Sequence, residues 1–213
     1  MGGIIIDLQK DALASNGDVA SLLRKAYLIS KKLKLSEFEN WTSSELNGYR
    51  GKSNIPKYRE IGGELKAWNP YNGWIPFIIT NNKLHDQLCR HKVLDSIPSL
   101  AAGLKTGQDL HIPFEGEMIE YLNRLSDLGL RTKYSLFLNL NEVGAIVQTV
   151  QNNILDWAIL LEENGILGEG LMFSKEEKKQ AENPQIINYI NYFYGDTDNI
   201  QLQQGTSSSE QSK

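Results

Sequence analysis

A run of apolar residues at helical spacing near the end of the sequence restricts the possible folds more than any other feature. Apolar side chains recur every three or four positions between Val143 and Leu161, in a helix predicted to be capped by Asn141 and to end near Gly165. A helix with one long apolar stripe is stable only when other elements pack against that stripe. The sequence therefore predicts a helical layer built on this segment.

Two further helices are predicted in the region from Val19 to Asn47. The first part of this region carries an apolar stripe with lysines on the opposite side. Ser36, with Glu39 three residues later, resembles an N-cap and predicts the start of the second helix. Gly48 follows as its C-terminal stop.

The middle of the sequence changes to the two-residue period of strands. Residues 57–68 and 73–80 flank the turn-rich "NPYNG" and predict a β-hairpin. Later segments predict a helix over 82–104 that Pro98 interrupts, a strand over 109–114, a helix over 115–129 and a strand over 133–140. This order has no regular βαβ repeat, so the predicted class is α+β. We expect a small mixed or antiparallel sheet packed against helices, with a helical N-terminal pair and a long C-terminal helix.

Composition divides the chain into a domain over residues 1–173, a charged linker over 174–185 and a tail over 186–213. The tail is rich in Asn, Gln and Ser and is predicted to be β-prone or disordered. Its apolar positions include Tyr192, Tyr194, Ile200 and Leu202. Short β-prone segments of this kind stack between chains, so we expect a homo-oligomer through the tail. The alternative is a tail without structure.

Charge and cysteine content limit the setting and the partners. The net charge of -4 argues against nucleic acid as a partner, because phosphate contacts need a surplus of Lys and Arg. The single cysteine, Cys89, fits a reducing cytosol. Without a signal-peptide pattern or an apolar stretch of spanning length, we expect a cytoplasmic protein with no membrane partner.

The sequence offers no convincing catalytic constellation. His85 and Cys89 are spaced to share a metal on one helix, but His91 points elsewhere and no second ligand pair completes a tetrahedral set. We therefore predict no metal, no cofactor and no catalytic residue, and we expect binding rather than enzymatic activity.

Clustered polar residues between Glu45 and Arg59 form the first candidate ligand site. Its members are Glu45, Asn47, Tyr49, Arg50, Tyr58 and Arg59. In the functional interpretation, the arginines hold an anionic ligand with paired hydrogen bonds. In the structural interpretation, Glu45 forms an ion pair with Arg59, while Tyr49 and Tyr58 half-bury their rings with the hydroxyls outward. If the functional interpretation is right, replacing Arg59 with alanine abolishes binding without unfolding the domain.

The aromatic turn "WNPYNGW" is the second candidate site. Trp68, Tyr71 and Trp74 are able to stack a base or a sugar, or to cover one face of the sheet. Beside Arg50 and Arg59, these rings would complete a pocket of nucleotide size.

The stretch "LLRKAYLISKKLKLSEFENWTSSELNGY", followed by "IPKYREI", resembles the N-terminal signature of the AbiTii domain of bacterial abortive-infection systems. The matching residues are Trp41, Glu45, Leu46, Asn47, Gly48, Tyr49, Pro56, Tyr58 and Arg59, and the similarity covers Ile4 to Glu163. The tail, with its "GD…N.Q…G…..Q" rhythm, is similar to bacterial amyloid-signalling segments.

The resemblance implies a role in anti-phage defence, as a non-catalytic sensor or adaptor that binds a nucleotide-type small molecule or a phage or host protein. Two alternatives stay open. One is an effector enzyme that uses Glu45 with Arg50 and Arg59 on nucleotides or nucleic acid. The other is a protein that sequesters a small nucleotide.

Overall fold

Helices from the first and last parts of the described chain pack into one core, and its middle forms a small sheet. The computed structural model describes residues 3–14, 17–107, 109–126 and 131–191. The helices are α1 Ile4–Leu13, α2 Val19–Leu33, α3 Ser36–Asn47, α4 Asn82–Cys89, α5 Ile97–Thr106, α6 Glu117–Leu125, α7 Leu140–Glu163, α8 Lys175–Gln180 and α9 Pro184–Ile187. The strands are β1 Glu60–Asn69, β2 Gly73–Pro76, β3 Arg90–Lys92, β4 His111–Pro113 and β5 Tyr134–Leu138.

The long helix α7 lies at the centre of the main hydrophobic core. Its predicted stripe is buried, and α1, α2 and α5 pack against it. Phe38 of α3 stacks on Trp157 with ring centroids 3.8 Å apart, so α3 closes over the same stripe. Burial of this side of α7 agrees with the prediction from its spacing.

The sheet follows the order β2-β1-β5-β4, and β3 pairs with the first residues of β1. Every pairing among these strands is antiparallel, which confirms the predicted α+β class. Because side chains alternate along a strand, Leu65 and Leu136 enter a second, smaller core, while Lys66 and Phe137 lie on the opposite face.

Several element boundaries differ from the prediction. Helix α1 was not predicted at all. The predicted helix over 82–104 is divided, because Cys89 ends α4 and the next three residues pair with β1 as β3. Pro98 does not interrupt a helix but lies in the first turn of α5, where its missing N–H costs no hydrogen bond.

Two predicted caps are also displaced. Asn139 rather than Asn141 caps α7, and its side chain accepts the backbone N–H of Asn141 at 2.9 Å. Leu35 rather than Ser36 occupies the N-cap of α3, without a side-chain hydrogen bond.

The segment after residue 173 contributes to the folded domain. Ser174 and Glu177 form a capping box at the start of α8. Ala181 and Ile186 are buried in the main core. Within the segment predicted as a linker, Ala181 is thus anchored in the core, while most of the other side chains are exposed. In the described part of the chain, no helix combines the length and apolarity needed to cross a membrane.

Candidate functional site

A buried polar network occupies the corner where α3 ends and β1 begins. The Glu45 carboxylate is its centre. Oε1 of Glu45 accepts hydrogen bonds from the hydroxyls of Tyr49 at 2.7 Å and Tyr58 at 2.6 Å. The Arg59 guanidinium forms the ion pair, with Nε donating to Oε1 at 3.2 Å and Nη2 donating to Oε2. Three side chains thus converge on one carboxylate.

Arg59 also connects the corner to the loop before α5. Its Nη1 donates to the carbonyl oxygens of Val93 at 2.9 Å and Asp95 at 2.8 Å. The guanidinium lies 4.6 Å from the centroid of the Tyr49 ring, within cation–π range. Burial alone would lower the pKa of Arg59, but the hydrogen bonds and charge of Glu45 more than offset this and raise it. The side chain is therefore a permanent cation fixed by the fold.

Tyr58 extends the network to the main core. The indole Nε1 of Trp41 donates to the Tyr58 hydroxyl oxygen at 2.9 Å. Burial, together with the nearby charge of Glu45, raises the pKa of Tyr58 well above its usual value. The phenol stays neutral at physiological pH, as its role as a donor to Glu45 requires.

The corner contains the buried ion pair between Glu45 and Arg59 that the structural interpretation of these residues expected. Glu45, Tyr49 and Arg59 are at most 1% exposed, so a ligand at the surface does not reach them in this structure. The tyrosine hydroxyls point inward to Glu45, whereas the structural interpretation placed them outward. Burying an ion pair is tolerated when hydrogen bonds satisfy both groups, as they do here.

Two predicted members of the corner are accessible. Asn47 is exposed, and its Nδ2 donates to the carbonyl of Ser43 at 2.8 Å. The Arg50 side chain is 85% exposed and lies 3.4 Å from the carboxylate of Asp95. Because solvent screens such a pair, Arg50 is available to a partner at little cost.

The aromatic turn presents rings on the outer sheet face. Trp68 is 41% exposed and Tyr71 is 92% exposed. Trp74 lies opposite Trp68 in the β1–β2 pairing, with ring centroids 5.4 Å apart in an edge-to-face arrangement. The three predicted residues are thus in one hairpin, with two rings directly in contact.

The rings continue across the sheet to two residues that were not predicted from the sequence. Trp74 contacts Phe137 of β5 at 5.4 Å and His111 of β4 at 5.8 Å between centroids. Phe137 and His111 stack at 4.9 Å. We call Trp68, Tyr71, Trp74, His111 and Phe137 the aromatic face. Alternation in "KYSLFLNL" places Phe137 on one side of its strand, but the sequence does not show which strand lies beside it.

A cleft of about 640 Å³ adjoins the aromatic face. Phe137 lines this cleft, and so does Glu142 of the first turn of α7. The ammonium of Lys66 lies 4.6 Å from the Phe137 centroid and 3.1 Å from the Glu64 carboxylate. The size of the cleft falls within the range of small-molecule sites.

The two predicted sites lie at opposite ends of β1. Arg59 directly precedes the strand and Trp68 is close to its end, so the two are nine positions apart, or roughly 30 Å of extended chain. The corner and the aromatic turn therefore do not form the single nucleotide-sized pocket that the sequence suggested.

The histidines and the cysteine do not assemble a metal site. Among the described residues, no group of three His, Cys, Asp or Glu side chains is placed to hold a metal ion. Burial raises the pKa of the Cys89 thiol and lowers the pKa of His91.

Comparison with known families identifies the chain. The AbiTii family model matches residues 3–186. The chain belongs to the AbiTii family. Searches of the curated proteins and of the solved structures found no match.

AbiTii membership gives the biological setting as abortive-infection defence. The AbiTii match extends beyond the predicted domain boundary at residue 173 and ends at Ile186, whose side chain is buried in the main core. In this AbiTii chain, the signature residues Trp41, Glu45, Tyr49, Tyr58 and Arg59 are the members of the buried network.

Proposed function

We propose that this AbiTii chain is a non-catalytic sensor or adaptor module of an abortive-infection system, and that the aromatic face binds its ligand or partner. The observation that carries the proposal is the set of contacting rings, which begins at the exposed Trp68 and runs across β1, β2, β5 and β4. A nucleotide-type small molecule is the favoured ligand, since every base has a flat face that stacks on such rings.

The cost of leaving these rings exposed supports a binding role. Full burial of a large apolar side chain stabilises a protein by roughly 1.5–3 kcal/mol, and Trp68 and Tyr71 give up much of that. A bound flat ligand would recover it. The adjoining cleft offers room for the rest of such a ligand, with Lys66 and Glu142 as polar groups.

The corner supports this function indirectly. Its network fixes the first residues of β1 to α3 and to the loop before α5. The far end of the same strand, with Trp68, is then held in place by pairing with β2 and β5. A pre-arranged surface binds with less loss of conformational entropy than a mobile one. Exposed Arg50 and Asn47 remain candidates for contacts with a protein partner.

Replacing Trp68 and Trp74 together with alanine tests the aromatic face. Loss of stacking should weaken binding of a mononucleotide by tenfold or more, because each stacked base contributes about 1–3 kcal/mol. Binding is measured by quenching of tryptophan fluorescence for single variants, and by calorimetry for the double variant. In bacteria that carry the complete defence system, the double variant should lose protection against phage, measured as plaque counts.

Tyr121→Ala is the matched control, because Tyr121 is 37% exposed on α6, outside the aromatic face. It should keep full protection. If the double variant is folded and protects as well as the unchanged chain, the aromatic face has no role in defence.

We also propose that the tail drives self-association. Tyr192, Tyr194, Ile200 and Leu202 lie outside the described residues. Because Ile186 is buried, the test truncation should begin after Asn191 rather than after Pro184. Sedimentation velocity should show a smaller assembly for the truncated chain, with an unchanged melting temperature. An identical sedimentation profile would exclude the tail as an assembly element.

A further inference from the structure

The hairpin between α7 and α8 presents apolar side chains to solvent on the helical part of the molecule. In the segment 167–173, Leu171 is 56% exposed and Met172 is 73% exposed, while Phe173 is buried in the main core. Neither exposed side chain belongs to the aromatic face or to the cleft. Such a patch is smaller than those that mark protein interfaces by size alone, so its shape and its surroundings decide what it binds.

The hairpin is held in shape by hydrogen bonds from both sides. The Glu177 carboxylate accepts the backbone N–H groups of Leu167 at 2.9 Å, Gly168 at 2.7 Å and Ser174 at 2.7 Å. Glu169 and Met172 exchange backbone hydrogen bonds at 2.9 and 3.0 Å. The exposed tip is therefore a formed structure and not a loose connection.

Close packing fixes the base of the hairpin as well. Gly168 has φ +69°, and a Cβ there would lie 2.9 Å from both Ile4 and Phe173 side-chain atoms. The backbone N–H of Ile5 donates to the carbonyl of Leu167 at 3.2 Å. The base is anchored to α1, so the direction of the tip is set by the core.

Basic side chains border the tip on two sides. A shallow hollow on one side is lined by Lys32, Lys178 and the two exposed residues, and the ammonium of Lys32 donates to the carbonyl of Leu171 at 2.6 Å. A second hollow, on the other side of Leu171, is lined by Arg24 and Lys25.

Acidic side chains also lie near the tip, so the pairing of each cation matters more than the net charge. Asp7 lines the second hollow, and Asp11 forms an ion pair with Lys25. Glu169 lies within the hairpin, Glu177 binds its base, and Glu37 and Glu182 line a hollow with Lys178. Around Leu171, Arg24 and Lys178 have no carboxylate within ion-pair distance among the described residues.

We propose that this hairpin attaches the protein to an anionic phospholipid surface, with Leu171 and Met172 entering the headgroup region and the flanking cations contacting lipid phosphates. Apolar tips beside basic residues are the combination that binds such surfaces reversibly. The expectation that the chain has no membrane partner rested on the lack of a spanning segment, which this mode of attachment does not need.

The small size of the apolar tip favours lipid over a protein partner. A stable protein interface buries about 800 Å² on each side, far more than the exposed side chains of Leu167, Leu171 and Met172 supply. A lipid surface demands no matching shape and gains strength from each nearby cation.

Vesicle sedimentation with the full chain tests the proposal. The protein should sediment with vesicles of phosphatidylcholine and phosphatidylglycerol, and not with vesicles of phosphatidylcholine alone. The double variant Leu171→Ser/Met172→Ser should bind the anionic vesicles at least tenfold more weakly, because the apolar contribution is lost. Arg24→Gln and Lys178→Gln should each weaken binding about fivefold at low salt.

Ile78→Ser is the control for the apolar contribution. Ile78 is 84% exposed, but it follows β2 and is not part of the hairpin between α7 and α8. It should bind vesicles like the unchanged chain, and circular dichroism should show that all variants are folded. The proposal is overturned if the chain does not bind anionic vesicles, or if the double serine variant binds them unchanged. It is also overturned if that variant alters only the sedimentation velocity of the protein without lipid, which would make the hairpin a contact between copies.

Discussion

Replacing Arg59 with alanine is expected to lower the free energy of unfolding by about 3–5 kcal/mol, the usual cost of leaving a buried charge without its partner. The Glu45 carboxylate would keep only the two tyrosine hydroxyls as donors. The carbonyls of Val93 and Asp95 would lose the donor that they share. Urea denaturation followed by circular dichroism measures the change, as a lower midpoint with an unchanged slope.

Arg50→Ala is the matched control for this prediction. Arg50 is also an arginine of the signature region, but its side chain is 85% exposed and its pairing with Asp95 is screened by solvent. Its replacement should change stability by about 0–1 kcal/mol. Arg59→Lys should recover only part of the loss, because an ammonium cannot reproduce the fork of hydrogen bonds to Glu45 and the two carbonyls. Equal midpoints for the Arg59→Ala variant and the unchanged chain would contradict a stabilising role of the network.

The residues of the corner could be selected from the sequence, but their burial could not be predicted from it. Glu45, Tyr49, Tyr58 and Arg59 were selected because clustered polar groups mark binding sites. The guanidinium of Arg59 is covered by a distant loop, whose carbonyl oxygens at Val93 and Asp95 accept its hydrogen bonds. These residues follow Arg59 by 34 and 36 positions. No local pattern indicates that this loop covers the guanidinium. From the sequence we expected Arg59→Ala to stay folded and lose binding, whereas the burial of Arg59 leads us to expect a loss of stability.

The helices show where local patterns are sufficient. Helix α7 was predicted over nearly its whole length, because its stripe repeats many times. Helix α1 was missed, since three consecutive isoleucines obscure the helical period over only ten residues. Its stability comes from packing on α7, which is a long-range contact. Strand β3 was missed for a similar reason, because pairing with β1 overrides the helical pattern after Cys89.

The aromatic face was predicted in part. Trp68, Tyr71 and Trp74 surround one turn, so their proximity follows from the hairpin pattern. Phe137 and His111 join them through the register of β1 with β5 and of β5 with β4. Strand register between distant segments depends on which faces are buried, and a single sequence does not state that.

Replacing Gly48 with alanine is expected to destabilise the domain by about 3 kcal/mol, from two sources that act together. Gly48 has φ +89° and ψ 174°, a region that is essentially restricted to glycine and costs other residues about 1–3 kcal/mol. A Cβ at this position would also lie 2.8 Å from the carbonyl oxygen of Leu94. That carbonyl accepts the backbone N–H of Tyr49 at 2.7 Å, so it cannot move away without breaking the bond beside the network.

Gly51→Ala is the control variant without a close contact. Gly51 also has a positive φ, +75°, but a Cβ there would meet nothing within 4 Å. Its replacement with alanine should therefore lower the free energy of unfolding only by the cost of a positive φ, about 1 kcal/mol. If the clash at Gly48 matters, the midpoint of urea denaturation falls clearly further for Gly48→Ala than for Gly51→Ala, and the loss is accompanied by weaker protection of the Tyr49 amide in hydrogen exchange. Equal losses for the two variants would mean that the approach of Leu94 to the corner is adjustable, and the network would then be less rigid than its hydrogen bonds suggest.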